Sequence, residues 1–187
     1  RVGLLLAAFA IGATSLVVLT EANTRAQISE NERQALLSAI NALVGSSEYD
    51  NDILTDTITL PKTKQLGTKN DTIVYRARKD GVPVATIFTS IAPNGYSGKI
   101  KLLVGVYYDR NLAGVRVIEH KETPGLGDKI NEKKTDWILK FKNLSLLNPI
   151  ESKWAVKKDG GDFDQFTGAT ITPRAVVSAV KKSLLYF

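Results

Sequence analysis

Hydroxyl and glycine residues suited to holding a ligand occur together in residues 164–173, which read Asp-Gln-Phe-Thr-Gly-Ala-Thr-Ile-Thr-Pro. Thr172 followed by Pro173 is typical of a helix start, with the Thr as N-cap and the Pro at the first helical position. Thr170 is then expected just outside a helix N-terminus, where free N–H groups and the helix dipole favour a phosphate. A hydroxyl there could contact a phosphate or be esterified to it. Simple helix capping is the alternative explanation.

Two earlier segments combine glycine with side chains suited to a flat, polar ligand. Residues 94–98 read Asn-Gly-Tyr-Ser-Gly, so Gly95 and Gly98 allow close approach of the backbone while Tyr96 offers a ring for stacking. Residues 122–127 read Glu-Thr-Pro-Gly-Leu-Gly, in which a tight turn would present amides, an acid and a hydroxyl to a heterocycle. An ordinary loop with an anchoring Tyr and a purely structural turn are the respective alternatives.

The composition excludes several kinds of redox and metal site. The 187 residues include no Cys, no Met and a single His, His120. Disulfides, zinc ribbons, Cys-ligated iron–sulfur clusters and bis-axially ligated haem are therefore excluded, and an organic cofactor must carry any electrons. The acidic residues between Asp159 and Asp164 lack the spacing of a calcium loop and indicate a turn, so no metal site is predicted.

The basic character of the chain does not indicate nucleic-acid binding. The net charge is +6, but the Lys and Arg residues are scattered and never denser than doublets. A solvated surface beside anionic lipid explains the charge better. We therefore predict no nucleic-acid partner and a membrane lipid neighbour.

The N-terminal segment Val2–Thr20 has no charged side chain. As a helix it would span about 28 Å, which matches the hydrocarbon core of a bilayer. No small-x-small cleavage site follows, so a retained transmembrane anchor is favoured over a cleaved signal peptide. Composition leaves the orientation open, and Arg1 in place of Met indicates that a segment precedes this sequence.

Hydrophobic periodicity predicts an α+β fold with an antiparallel sheet and flanking helices. Ser29 and Glu32 form a capping box that predicts the start of a second helix, which Gly45 ends. Asp80-Gly81 predicts one hairpin turn, and Asp109-Arg110-Asn111 predicts a second. The remaining predicted elements are the strands 73–79, 82–91, 99–108 and 112–119, a helix over 128–142 with Asp128 as N-cap and Trp137, Ile138 and Phe141 on one side, a short strand over 153–158 and a final helix over 173–185.

Residues 164–170 resemble the Asp-x-x-[Ser/Thr]-Gly-Ala-[Ser/Thr] signature of proteins modified by a periplasmic flavin transferase. Residues 95–98 and 122–127 resemble the other two flavin-contacting stretches of that covalent FMN-binding family. With His120-Lys121, the N-terminal anchor and residues 154–158, the chain resembles the G subunits of bacterial Rnf (Rsx) ion-translocating electron-transport complexes over essentially its whole length.

The resemblance implies one FMN per chain, held by a phosphoester bond to Thr170, which would make the chain a phosphoprotein. The implied domains are a transmembrane anchor over 1–22, a connecting helix over 23–50 and an FMN-binding domain over 51–187. No residue is expected to act as a catalytic acid or base. The other residues implied in cofactor binding are Thr167, Gly168, Ala169, Gly95, Tyr96, Gly98, Glu122, Thr123, Gly125, Leu126 and Gly127.

The implied function is electron relay within a translocase of the bacterial inner membrane, without stand-alone activity. The soluble domain would lie on the periplasmic side, with the other complex subunits as partners and a flavin transferase, which uses FAD and magnesium, acting during maturation. A flavinylated subunit of a sodium-pumping NADH:quinone reductase and a non-redox extracytoplasmic assembly or binding module are the alternatives.

Overall fold

The computed structural model describes all residues from Arg1 to Phe187, which divide into two compact units, Arg1–Ser38 and Ala39–Phe187. Apart from Arg1, the first unit is helical and belongs to α1, Val2–Asn41, which is long and apolar enough to cross a membrane and contains the predicted anchor. The second helix start predicted at Ser29 is wrong, because α1 continues through it. The preceding turn of α1 already satisfies the backbone N–H groups that Ser29 would cap.

The second unit is built on a five-stranded sheet in which every neighbouring pair is antiparallel. The two predicted hairpins are confirmed: Asp80 and Gly81 form one turn with positive φ angles of 51° and 75°, and the other turn follows Tyr107. The strands, which lie in the sheet in chain order, are β1 Thr57–Leu60, β2 Thr72–Lys79, β3 Val82–Gly95, β4 Gly98–Tyr107 and β5 Leu112–Glu119.

The glycine-containing segment at 95–98 is the tight turn of a third hairpin, between β3 and β4. Gly95 pairs with Gly98 across it, after an irregularity in the strand register between Ala92 and Gly95. Tyr96 and Ser97 therefore project from the end of two long central strands. This gives a short, exposed turn a rigid support.

Helix α2, Ile171–Tyr186, confirms the predicted final helix and packs against the sheet through β3. Its residues Val176 and Val180 are fully buried in the main core, together with Leu102 and Val104 of β4. Leu103 alternates to the opposite face of β4 and is also buried. The sheet thus has two covered faces, and α2 holds a fixed position on one of them.

The segment between β5 and α2 differs from its prediction. Short 3-10 helices, Gly127–Ile130, Asp136–Phe141, Glu151–Lys153 and Lys157–Asp159, replace the predicted helix and strand. The predicted apolar side is buried, but Thr135 is extended and accepts a hydrogen bond from the Trp137 N–H at 3.2 Å, so a new helix begins there. Asp128 lies inside the first 3-10 helix and is not its N-cap. The α+β class with an antiparallel sheet is nevertheless confirmed.

Candidate functional site

The Thr170 hydroxyl lies at the start of α2 and makes no capping hydrogen bond. The helix begins at Ile171, two residues earlier than predicted, and Thr170 is its half-buried N-cap residue. The prediction that Thr172 is the N-cap is wrong, because Thr172 is fully buried at the second helical position. Pro173 is tolerated at the third position because first-turn N–H groups have no partner within a helix.

Aromatic packing holds the segment that leads into Thr170. The Ala169 N–H donates to the Phe166 carbonyl at 3.0 Å, which closes a tight turn in which Gly168 has a φ angle of 79°. The Phe166 ring packs edge-on against Trp137, with 5.3 Å between ring centroids. The Trp137 indole N–H donates to the Asp164 carbonyl at 2.8 Å. Trp137 therefore holds the start of the turn, through Phe166, and the chain just before it, through Asp164.

The carboxylate of Asp164 has a structural role in the same segment. Its Oδ1 accepts a hydrogen bond from Lys157 Nζ at 2.6 Å, and Lys140 Nζ lies 3.5 Å from Oδ2. The hydrogen bond from Lys157 holds the pKa of Asp164 below its ordinary value. Asp164 therefore ties the segment to the neighbouring 3-10 turn.

Glu122 connects three separate segments of the chain near Thr170. Its side chain is buried, and its Oε1 accepts from the Ser97 N–H at 3.0 Å while Oε2 accepts from the Tyr96 N–H at 3.2 Å. Oε2 also accepts a hydrogen bond from the Thr172 hydroxyl. One carboxylate thus connects the β3–β4 turn, the loop after β5 and the first turn of α2.

Gly127 and Gly95 allow this close packing around Glu122. A Cβ atom on Gly127 would lie 2.7 Å from Thr172 Oγ1 and 2.9 Å from Glu122 Oε2. A Cβ atom on Gly95 would lie 2.8 Å from Glu122 Oε1. The predicted tight turn at 123–126 is confirmed by the Leu126 N–H, which donates to the Thr123 carbonyl at 3.1 Å. Lack of space, rather than an unusual backbone angle, is therefore what restricts Gly127 to glycine.

The three sequence segments meet around one cavity of about 600 Å³. Gly95, Gly98, Gly125 and Thr167 do not line it and instead lie in or beside the turns that shape it. Eight of the sequence-predicted residues line the cavity: Tyr96, Glu122, Thr123, Leu126, Gly127, Gly168, Ala169 and Thr170.

Three further lining residues, Lys158, Ile171 and Thr172, were not predicted from the sequence as site residues. Thr172 was assigned to helix capping, which concealed its contact with Glu122, fifty positions earlier. Lys158 belongs to a Lys doublet and to the stretch 154–158 that contributes to the family resemblance, but neither feature pointed to a role in the site. Its backbone N–H donates to the Gln165 side-chain oxygen at 3.3 Å, so it reaches the cavity through a tertiary contact.

Comparisons with known proteins match both parts of the chain. A family model described as the FMN-binding domain matches residues 95–185, and one described as the RnfG N-terminal region matches residues 1–43. The G subunit of the ion-translocating oxidoreductase complex of Pseudoalteromonas atlantica (strain T6c / ATCC BAA-1087) is 51% identical over 185 residues, which are 99% of this chain and 86% of that protein. The chain belongs to the family of G subunits of ion-translocating oxidoreductase complexes.

Further members of this family show the same extent of similarity. The corresponding G subunit from Vibrio atlanticus (strain LGP32) is 46% identical, and that from Vibrio cholerae serotype O1 (strain ATCC 39541 / Classical Ogawa 395 / O395) is 47% identical. Each match covers 98% of this chain and 88% of the relative. The family predicted from the three sequence segments is confirmed.

The cavity fits the cofactor of the matched FMN-binding domain. Its volume lies within the range of about 300–1,000 Å³ that is usual for small-molecule sites. Because Gly127 has no side chain, Glu122 and Thr172, which both line the cavity, can pack closely against it; a Cβ atom there would push them apart and change the shape of the cavity. At the edge, Thr170 offers an uncommitted hydroxyl beside the N-terminus of a sixteen-residue helix, which suits a phosphate.

Proposed function

We propose that this chain is the membrane-anchored flavoprotein subunit of an ion-translocating oxidoreductase complex and relays electrons through FMN joined covalently to Thr170. The observation that carries the proposal is the position of the Thr170 hydroxyl. It is not used in helix capping, and it lies beside a cavity formed by the three segments that resemble flavin-binding stretches. Membership of the G-subunit family supports the electron-transport role.

The start of α2 would hold the phosphate. The N–H groups of Ile171 and Thr172 have no partner within the helix, and the positive end of the helix dipole stabilises an anion beside them. In the proposed attachment, the Thr170 oxygen would bond to the FMN phosphorus of FAD, the pyrophosphate bond would break with AMP as the leaving group, and the hydroxyl would lose its proton. Bound FMN supplies the redox chemistry, while the protein supplies orientation and electrostatics.

The cavity residues position and shield a ligand, and we assign none of them a catalytic proton transfer. The Glu122 carboxylate already accepts three hydrogen bonds from the chain itself. Tyr96 and Leu126 are exposed at 69% and 42% and contribute apolar surface to the cavity. That surface would exclude water from a bound ring system and leave one edge open to a redox partner.

The proposal places the soluble domain on the periplasmic side of the bacterial inner membrane. There the partners would be the other complex subunits, membrane lipid and, during maturation, a flavin transferase that uses FAD and magnesium. The resemblance to periplasmically flavinylated proteins supports this placement, and α1 supplies the single membrane span. Covalent attachment would retain the flavin outside the cytoplasm.

The deciding experiment replaces Thr170 in cells that contain the flavin transferase. Thr170→Ala should abolish covalent flavin, whereas Thr170→Ser should retain it because the chemistry needs the oxygen and not the methyl group. Flavin fluorescence in a denaturing gel and the intact mass of the chain measure attachment. Thr167→Ala is the matched control and should keep covalent flavin. Fluorescence that persists in the denatured Thr170→Ala chain contradicts the assignment.

A second experiment tests the anchor. The intact chain should remain in membranes after a high-salt or carbonate wash, because Val2–Thr20 contains no charged side chain. Deletion of Val2–Thr20 should release the chain into the soluble fraction. Release of the intact chain by salt alone would instead show electrostatic attachment, which weakens with ionic strength.

A further inference from the structure

The charged residues that line the cavity are one carboxylate and one ammonium. Glu122 is buried, and its carboxylate accepts hydrogen bonds from Tyr96, Ser97 and Thr172, so protein donors already solvate its negative charge. Lys158 is exposed and lines the same cavity as Thr170. A negatively charged ligand in the cavity would therefore find a single cationic side chain.

The two neighbouring cations are already paired. Lys157 Nζ donates to Asp164 at 2.6 Å, which raises the pKa of Lys157 above its ordinary value. Arg174 makes two hydrogen bonds to Asp159, at 2.6 and 2.8 Å. The Lys158 ammonium has neither a hydrogen bond nor an ion pair, and its acidic neighbour along the chain, Asp159, is held by Arg174.

The backbone around Lys158 has a defined position. The Lys158 N–H donates to the Gln165 side chain, and the Lys157 N–H donates to the Phe163 carbonyl at 2.7 Å. Residues 157–159 form a 3-10 turn, so the two Lys side chains leave it in different directions. Lys157 is hydrogen-bonded to Asp164 in the segment that leads to Thr170, while Lys158 lines the cavity.

We infer that Lys158 recognises the cofactor phosphate and positions it at the Thr170 hydroxyl, an inference that rests on the function proposed above. Backbone N–H groups at a helix start offer only partial charges to an anion. A Lys ammonium adds a full charge, and a hydrogen bond between two ionised groups is about twice as strong as a neutral one. Lys158 is thus a positioning residue that acts on the phosphate and not on the flavin ring.

The test compares two ligands that differ only in the phosphate. The full chain, purified in detergent from cells without a flavin transferase, is titrated with FMN and with riboflavin while flavin fluorescence is recorded. Lys158→Gln should weaken FMN binding about tenfold, which corresponds to about 1.4 kcal/mol, and leave riboflavin binding unchanged. Lys158→Arg should restore most of the FMN affinity because it keeps the charge.

Lys182→Gln is the matched control, because Lys182 is an exposed Lys that does not line this cavity. It removes the same net charge and should leave both affinities unchanged. The inference is overturned if Lys158→Gln weakens both ligands equally, if Lys182→Gln has the same effect as Lys158→Gln, or if the unmodified chain shows no preference for FMN over riboflavin. Absence of measurable binding of either ligand counts as no preference.

The titration also separates this inference from the proposed attachment. Thr170→Ala removes the attachment point but no charge, so it should keep the preference for FMN over riboflavin. If the unchanged chain carries no covalent flavin even in cells that contain the flavin transferase, yet the titrated chain shows a preference for FMN that depends on Lys158, attachment is refuted and phosphate recognition stands. Covalent flavin on Thr170 with no effect of Lys158→Gln would refute only the role of Lys158.

Discussion

Glu122 and Thr170 line the same cavity but differ in how fully the fold commits them. The Glu122 carboxylate is buried and holds three segments together through hydrogen bonds from Tyr96, Ser97 and Thr172. The Thr170 hydroxyl is half-buried and caps nothing, although it is only two residues from Thr172. The cavity thus has a buried side, where the Glu122 carboxylate is fully hydrogen-bonded within the protein, and an open side, where the Thr170 hydroxyl caps nothing.

This difference separates the positioning of a ligand from its attachment. Substitutions on the buried side, around Glu122, should alter the shape of the cavity and the stability of the domain, because buried polar groups lose their hydrogen-bond partners. Substitutions on the open side, around Thr170, should alter ligand binding while leaving the fold intact. Substitutions of Glu122, Gly127 and Lys157 test this division, and their expected effects decrease in that order.

The largest effect is expected from Glu122→Ala, which leaves the fully buried Thr172 hydroxyl and two N–H groups without their acceptor. The loss should be about 2–4 kcal/mol of unfolding free energy. Denaturation of the full chain in detergent, followed by tryptophan fluorescence, measures it. Glu122→Gln keeps one acceptor oxygen, so its stability should fall between that of Glu122→Ala and that of the unchanged chain.

Glu119→Ala is the control for this change, since Glu119 is exposed at the end of β5. It should be close to neutral. Equal destabilisation by Glu122→Ala and Glu119→Ala would show that the buried carboxylate does not hold the three segments together.

An intermediate effect is expected from Gly127→Val, because its side chain would collide with Thr172 Oγ1 and Glu122 Oε2. The cost should be about 1–3 kcal/mol, typical of overpacking. Covalent flavin should largely remain, since Thr170 is unchanged, but its visible spectrum should shift and its fluorescence should rise as the ring becomes more mobile. Absorbance and fluorescence of folded protein at matched flavin content measure this.

Gly125→Ala is the control for Gly127→Val, because a side chain at Gly125 would cause backbone strain without a collision, whereas a side chain at Gly127 would cause a collision. A Cβ atom on Gly125 meets nothing within 4 Å, but the φ angle of 77° disfavours any side chain. Gly125→Ala should cost about 1–2 kcal/mol and leave the flavin spectrum unchanged. Normal spectra and normal electron transfer in Gly127→Val would mean that the loop at 122–127 is only structural, and the proposed position of the ring would be wrong.

The smallest effect is expected from Lys157→Gln, which removes the hydrogen bond that lowers the pKa of Asp164. The pKa of Asp164 should rise towards its ordinary value of 3.8, as measured by the carboxyl carbon shift during an NMR titration. Because the folded pKa is lowered, the contribution to stability is present above the unfolded pKa and is lost as pH falls through the folded value. No change in the Asp164 titration would contradict the pairing.

Covalent flavin should be retained in the Lys157→Gln chain, because neither Thr170 nor Lys158 is changed. This retention distinguishes Lys157 from the neighbouring Lys158, to which we assign phosphate recognition. Loss of covalent flavin in Lys157→Gln would place the Asp164 pair in the attachment step itself.

Features that depend on local chemistry were predictable from the sequence. The Asp80-Gly81 turn, the alternating strands on either side of it and the apolar run Val2–Thr20 each have a pattern that a short window contains. The segment at 164–170 was likewise recognisable as a unit. By contrast, the helix predicted over 128–142 failed, because a local period cannot show that Thr135 stops one turn and begins another.

What the sequence by itself determined was therefore the class of fold, the apolar anchor and the identity of the three glycine-containing segments. Only the tertiary structure decided that Thr172 donates to Glu122, that Trp137 anchors Asp164 and that Lys158 rather than Lys157 lies at the cavity. The first two contacts join residues 50 and 27 positions apart. Hydrogen bonds between residues so far apart in the sequence depend on how the whole fold brings their segments together, so a local sequence pattern does not predict them.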